Sequence, residues 1–138
     1  MIEAAAVVRE IEELHRFFEG WFRGELADDD RTFARFAAAL APEFRMVFPA
    51  GGTIGHADLL VLLRRLHGSR RAEPGFAIAV EDVEVRWTEG PRALARYRER
   101  QRWPDRWTDR HTLAAFRAEP SAPLGVAWTE LQETWIAA

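Results

Sequence analysis

The amino-acid sequence predicts an α+β fold in which three N-terminal helices pack on a curved, mostly antiparallel sheet. Apolar residues recur at helical spacing through the first half of the chain. From about residue 76 onward they alternate with polar residues at the period of a β-strand. The later segments are joined by connections too short for crossovers, so neighbouring strands must be antiparallel. The length fits one domain, and we expect a single domain over residues 1–138.

The first half of the chain predicts three helices and a short strand. The first helix runs from Val8 to about Leu26. Its apolar face carries His15 one turn from Ile11 and Phe18. A second helix follows, with N-cap carboxylates at residues 28–30 and its end at Pro42. After it come a strand over 43–48, a turn at 49–52, a short strand at 53–54 and a third helix over 57–67.

Four long strands complete the predicted fold. Turn signals separate them, and they cover approximately residues 76–87, 91–103, 107–117 and 125–136. In the first of these strands, Ile78 and Val80 share one face while Val83 and Val85 share the other. A β-bulge near residues 81–82 would bring both apolar sets to the same side.

The turn at residues 104–106 sets the register of the two central strands. If it closes as a two-residue loop, Gln101 lies opposite Arg110 and Glu99 lies opposite Thr112. If it closes with three residues, the register moves by one and His111 replaces Arg110 on that face. The sequence is consistent with both registers.

Polar residues at alternate positions of three C-terminal strands predict a lined pocket. Side-chain period two places each such pair on one face of its strand. Buried polar groups left unpaired cost roughly 1 to 3 kcal/mol each, so they need partners or a ligand. The predicted ligand-binding residues are Tyr97, Gln101, Arg110, Thr112, Gln132 and Thr134 on the strands, with His15 and Trp21 from the first helix.

Glu99 is the candidate catalytic residue. A carboxyl group flanked by Tyr97 and a tryptophan in a half-dry pocket can have a raised pKa, which suits general acid or base catalysis. The alternative is that Glu99 forms a structural ion pair with Arg110. Arg110 can also bind the carboxylate of a ligand through its planar guanidinium group, which would select for an anionic molecule.

Composition and spacing exclude several kinds of site. Cysteine is absent, which removes disulfides, thiol nucleophiles and thiolate metal ligands. The four histidines show no chelating spacing, so no metal is predicted, and the glycines near residues 51–55 match no nucleotide-binding motif, so no cofactor is predicted. All 19 basic residues are arginine, yet the net charge of -3 does not favour nucleic acid.

The chain shows no signal for a membrane or for secretion. No apolar run approaches the roughly 18 residues that a membrane span needs. The N-terminal residues Met1, Ile2 and Glu3 lack the basic start and apolar core of a secretory signal. We therefore expect a cytoplasmic protein.

Three local motifs and the order of elements resemble the NTF2-like superfamily. The motifs are Phe44-x-Met46-Val47-x-Pro49-x-Gly51, Tyr97-x-Glu99-x-Gln101 and WTELQETW at residues 128–135. The superfamily includes ketosteroid isomerase, SnoaL-like cyclases and association domains, and the resemblance implies an NTF2-like cone. The last two motifs are similar to an uncharacterised bacterial subgroup, in which a histidine usually stands at the position of Gln132.

The resemblance does not carry the isomerase mechanism to this chain. Isomerases of the superfamily place a catalytic Asp just before the proline of the turn, where this chain has Phe48. A phenylalanine cannot abstract a proton. Fold membership alone does not define function, so the reaction must be argued from the pocket.

The resemblance also implies a homodimer, since members of the superfamily commonly pair through the open face of the sheet. If Glu99 and Arg110 face inward, the outer face carries Leu94, Leu113, Leu131 and Trp135. An exposed apolar patch of this kind is rare on a monomer.

Two functions are consistent with the sequence. The first is a pocket protein for a small organic molecule, with isomerase, dehydratase or cyclase activity that needs no cofactor. The alternative is a non-enzymatic dimeric binding or association module, in which the same polar residues form a closed structural network.

Overall fold

Three helices cover one face of a six-stranded sheet in the computed structural model, which describes residues 1–137. The strand order is β2-β1-β6-β5-β4-β3, with β1 parallel to β6 and every other pair antiparallel. The predicted α+β class is confirmed. The elements are α1 (Ala4–Arg23), α2 (Asp30–Ala37), β1 (Leu40–Val47), β2 (Thr53–Gly55), α3 (His56–Arg65), β3 (Ala77–Glu89), β4 (Arg92–Arg102), β5 (Trp107–Ala118) and β6 (Val126–Trp135).

The N-cap of α2 is the one that the acidic run predicts. The side chain of Asp29 accepts a hydrogen bond from the backbone N–H of Thr32 at 2.8 Å. The predicted end of this helix is wrong, however, because Pro42 lies inside β1. Proline is tolerated there because the pairing of β1 with β6 is irregular between Leu40 and Arg45, so no ladder bond needs its missing N–H.

The predicted bulge in β3 is confirmed. The pairing of β3 with β4 shifts between Glu81 and Glu84, and Asp82 takes a left-handed conformation with φ 56°. The extra residues change the parity of the strand. As a result, Val80, Val83 and Val85 all pack against the same core.

The turn between β4 and β5 gives neither of the two predicted registers. The pairing places Arg102 opposite Trp107 and Glu99 opposite Arg110, and the backbone N–H of Trp103 donates to the carbonyl oxygen of Arg106 at 2.7 Å, so the turn closes around two residues, 104 and 105. This register is two residues away from the first prediction, and a shift of two keeps every side chain on its face. Arg110 therefore faces inward and the side chain of His111 is exposed on the other face.

A bulge in β6 overturns part of the predicted pocket. Ala115 pairs with Glu130 but Phe116 pairs with Trp128, which leaves Thr129 as an extra residue. The bulge reverses the parity of the strand after Trp128. Gln132 and Thr134 consequently lie on the outer face, and the inner positions are taken by Leu131, Glu133 and Trp135.

The core between α1 and the sheet includes Trp21, which the sequence analysis placed in the pocket. Its side chain is fully buried, its Nε1 donates to the carbonyl oxygen of Leu63 at 2.7 Å, and Phe17 and Phe33 pack against its ring. Trp21 is therefore a packing residue that ties α1 to α3.

Among residues 1–137, no helix is both long enough and apolar enough to cross a membrane.

Candidate functional site

A cavity of about 200 Å³ lies between the helices and the inner face of the sheet. Most of its lining is apolar and comes from α1, α2, α3, β1 and the turn after β1, including Phe48. The strands β4, β5 and β6, with one residue of α1, supply a polar end. The polar lining residues are His15, Tyr97, Glu99, Gln101, Arg110 and Glu133.

His15 is a doubly protonated histidine held by two acceptors. Its Nδ1 lies 2.7 Å from the carbonyl oxygen of Ile11, and its Nε2 lies 3.0 Å from Oε1 of Glu99. A carbonyl oxygen and an ionised carboxylate both only accept, so each ring nitrogen must donate. Burial opposes the charge, but the carboxylate of Glu99 outweighs it and raises the pKa of His15.

Glu99 is fixed in its ionised form. Burial would raise its pKa, but the charge and the hydrogen bond of His15, with Arg110 and the amide of Gln101, lower the pKa of Glu99 to about 2. The second carboxylate oxygen accepts from Nε2 of Gln101 at 2.7 Å. The expected raised pKa is therefore wrong for Glu99, because His15, which was expected to bind a ligand, instead pairs with this carboxylate.

Arg110 is held less tightly than Glu99. Its NH1 lies 3.5 Å from Oε1 of Glu133, and its guanidinium carbon lies 4.7 Å from the ring centroid of Trp135. Within residues 1–137, the carboxylate in contact with Arg110 is thus Glu133 and not Glu99, which corrects the expected ion pair. The Nε of Arg110 is buried and has no hydrogen-bond partner among the described residues.

Glu133 is the titratable group of the cavity. Its side chain is 4% exposed. Burial and the negative charge of Glu99 raise the pKa of Glu133 to about 7, against the opposing effect of Arg110 and His15. A carboxyl group with this pKa exchanges a proton at neutral pH, which is the property expected earlier of Glu99.

The structure brings together five of the predicted site residues and separates the others. Tyr97 is buried with its hydroxyl 3.4 Å from Nε2 of His15. Thr112 is buried opposite Tyr97 but does not line the cavity. Those that line the cavity are His15, Tyr97, Glu99, Gln101 and Arg110, whereas Trp21 is in the core and Gln132 and Thr134 are on the outer face.

Glu133 is the site residue that the sequence analysis missed. The available signal was the odd spacing between Trp128 and Leu131, two apolar residues that cannot share a face of a regular strand. That spacing implies a bulge, and the bulge places Glu133 inside.

The described residues contain no cluster of three or more His, Asp or Glu side chains arranged to hold a metal ion.

The architecture is that of the NTF2-like fold, as three solved structures show. An NTF2-like protein of unknown function from Pseudomonas aeruginosa is 24% identical, with a TM-score of 0.82 over 96% of this chain and 99% of the other. The S. rosetta CaMKII hub is 14% identical, with a TM-score of 0.73 over 99% and 98%. An LEH-like epoxide hydrolase of M. tuberculosis is 14% identical, with a TM-score of 0.57 over 96% and 84%.

The chain belongs to the family described as sucrose-6-phosphate phosphohydrolase C-terminal, which matches residues 7–137. A search of the curated proteins gave no match. The solved structures are all below 25% identity and establish the fold alone.

Proposed function

We propose that the protein binds a small organic molecule in this cavity and acts on it by acid–base chemistry without a cofactor, as an isomerase, dehydratase or cyclase does. The observation that carries the proposal is Glu133, a nearly buried carboxyl group with a pKa of about 7 at the polar end of an apolar cavity. A group of this kind can accept or donate a proton at neutral pH. Perturbed carboxyl groups in apolar clefts are concentrated at functional sites.

The neighbouring residues suit this chemistry because their charges are fixed. His15 and Glu99 form a buried ion pair in which each charge favours the other, raising the pKa of His15 and lowering that of Glu99, so the pair supplies an electric field beside Glu133. Arg110 supplies a second positive charge at the same end of the cavity. The apolar walls exclude water, which strengthens every one of these interactions.

The family description supplies no substrate for this cavity. It refers to a C-terminal region of sucrose-6-phosphate phosphohydrolases. A sugar phosphate presents many hydroxyl groups and a double negative charge, whereas the lining here is largely apolar and offers few polar side chains to pair with them. The chemistry of the cavity favours a less polar molecule.

The test of the proposal is a search for a copurified ligand. Native mass spectrometry of gently purified protein should show an added mass that disappears on denaturation. The matched control is Met46→Trp, which fills the cavity from β1 and should carry no added mass. A binding function in this cavity would be contradicted if both proteins carried the same added mass. It would also be contradicted if the wild type carried no added mass and no member of a small-molecule library stabilised it.

A dimeric association module is the second candidate function, and it is supported by the outer face of the sheet. Trp87 is 46% exposed and Leu113 is 43% exposed, and Leu94 lies between them, paired with Trp87 and Ala115. A patch of this kind favours a partner surface. The likeness in fold to the CaMKII hub supports assembly in the same general way.

Self-association through this face can be measured directly. Light scattering should give twice the chain mass of 15.8 kDa at micromolar concentration. Leu113→Glu should reduce the mass to that of a monomer, because it places a charge in the buried interface. Val61→Glu, at an equally exposed position on α3, should leave the dimer intact. A monomer for the wild type, or equal effects of the two substitutions, would contradict this assignment of the interface.

A further inference from the structure

We propose that the cavity selects a small apolar carboxylate, which binds to Arg110, and that Glu133 takes up one proton from solvent when this anion binds. The inference rests on the proposed binding function and names its ligand class. No bond of the ligand changes in this step, and the one bond that forms is the O–H bond between Glu133 and the proton that solvent supplies. The carboxylate of the ligand stays ionised, and the carboxylate of Glu133 becomes a carboxylic acid.

Arg110 has the free donors that such a ligand needs. A tight arginine–carboxylate pair is bidentate, with nitrogen–oxygen distances of roughly 2.7 to 2.9 Å. The contact of Arg110 with Glu133 is a single one at 3.5 Å through NH1, and among the described residues the other terminal nitrogen of the guanidinium group has no carboxylate partner. The stacked ring of Trp135 holds the guanidinium group in place at the edge of the cavity. The loose pair with Glu133 therefore leaves donors available for a second carboxylate.

The balance of charges explains why binding is coupled to a proton. The groups that face Glu133 are Arg110 on β5, Glu99 and Tyr97 on β4, and His15 on α1. The cavity-lining residues of α2, α3 and β1 are apolar. When Glu133 is ionised, the positive charges of Arg110 and His15 cancel the negative charges of Glu99 and Glu133. A ligand carboxylate that approaches Arg110 is then repelled by the carboxylate of Glu133. With Glu133 protonated, the cluster carries one positive charge, which the anion neutralises.

The remaining cavity fixes the size and polarity of the ligand. Its volume of about 200 Å³ corresponds to roughly seven water molecules at about 30 Å³ each. The aliphatic and aromatic lining fits a hydrocarbon body of similar size, such as a single substituted ring. Benzoate is a suitable probe, and benzamide is its neutral counterpart of nearly equal shape.

Titration calorimetry of benzoate and benzamide tests the proposal. Experiments at pH 6.0 and 8.5, each in two buffers of different ionisation enthalpy, give both the affinity and the number of protons exchanged. We expect benzoate to bind at least about tenfold more weakly at pH 8.5 than at pH 6.0. At pH 8.5 Glu133 is ionised and must take up a proton before the anion binds, which lowers the affinity by up to tenfold for each pH unit above the pKa of Glu133. Proton uptake should approach one per benzoate at pH 8.5 and be close to zero at pH 6.0.

Three variants separate the roles of the residues. Glu133→Gln should bind benzoate without proton uptake and with little change in affinity between the two pH values, which also excludes His15 as the proton acceptor. Arg110→Met should lose the preference for benzoate over benzamide. Arg96→Met, on the outer face of β4, is the matched control and should behave as the wild type.

The outcomes distinguish this inference from the proposed function. Equal binding of benzamide and benzoate, or benzoate binding without proton uptake at pH 8.5, would overturn the inference and leave the cavity as a binding site. Failure of both probes to bind at millimolar concentration would also overturn it. The proposed function is then judged separately by the copurified-ligand experiment and its Met46→Trp control.

Discussion

Replacing His15 with leucine is expected to lower the free energy of unfolding by about 3 to 5 kcal/mol at pH 7, the usual cost of removing one partner from a buried ion pair. Glu99 is buried and ionised, and His15 contributes most to holding its pKa near 2. Without His15, the carboxyl group must remain charged with only Gln101 and the more distant Arg110 to stabilise it, or take up a proton. Denaturation by urea measures the loss.

The double variant His15→Leu, Glu99→Gln shows whether the loss comes from the uncompensated charge. Its destabilisation should be clearly smaller than the sum of the two single changes, since the double change removes both charges together. His111→Leu serves as the control because His111 is exposed on the outer face of β5, and it should change stability by about 0.5 kcal/mol or less. Additive effects would mean that the two side chains do not interact.

Glu133 is expected to make the protein less stable as the pH rises from about 4.5 to 7. Its pKa is about 7 in the folded protein and near the model-peptide value of 4.5 in the unfolded chain. Between these values the folded state keeps a proton that the unfolded state has lost. The contribution of Glu133 is therefore fully present below pH 4.5 and is lost as the pH rises through 7, by about 3 kcal/mol in total.

The difference between wild type and Glu133→Gln isolates this contribution. The variant should gain stability relative to the wild type as the pH rises from 4.5 to 7, and the difference should stay constant above pH 8. Glu99 acts in the opposite direction, because its lowered pKa stabilises the fold above pH 4.5 and this benefit is lost as the pH falls towards 2. Its effect is common to both proteins. Parallel stability curves from pH 4.5 to 8 would contradict the raised pKa of Glu133.

Local patterns predicted most of the fold. The amphipathic spacing of α1, the cap at Asp29 and the change of apolar parity around Asp82 each reflect interactions between residues close in sequence. The inward position of Arg110 was one of two alternatives consistent with the sequence, the other being His111, and the structure places Arg110 inside. The true register differs by two residues, and an even shift leaves the faces unchanged.

The parts of the site that the sequence could not predict depend on distant contacts. The partner of Glu99 is His15, which lies 84 residues away along the chain, and no local pattern connects the two. Without that contact, Glu99 had the features expected of the proton-exchanging carboxyl group. With it, Glu99 is fixed as an anion, and its charge helps to raise the pKa of Glu133 instead.

Because of the single extra residue at Thr129, the face on which each later side chain of β6 lies depends on the number of residues in the strand as well as on their types. Loss of that one residue, in a relative or by design, would exchange the two faces of everything that follows it in β6. Gln132 and Thr134 would then enter the cavity, and Glu133 would leave it. Two family members can therefore have the same residues in this strand and still present different side chains to their ligands, if the number of residues at the bulge differs. Comparison of this strand across the family must count residues from Trp128.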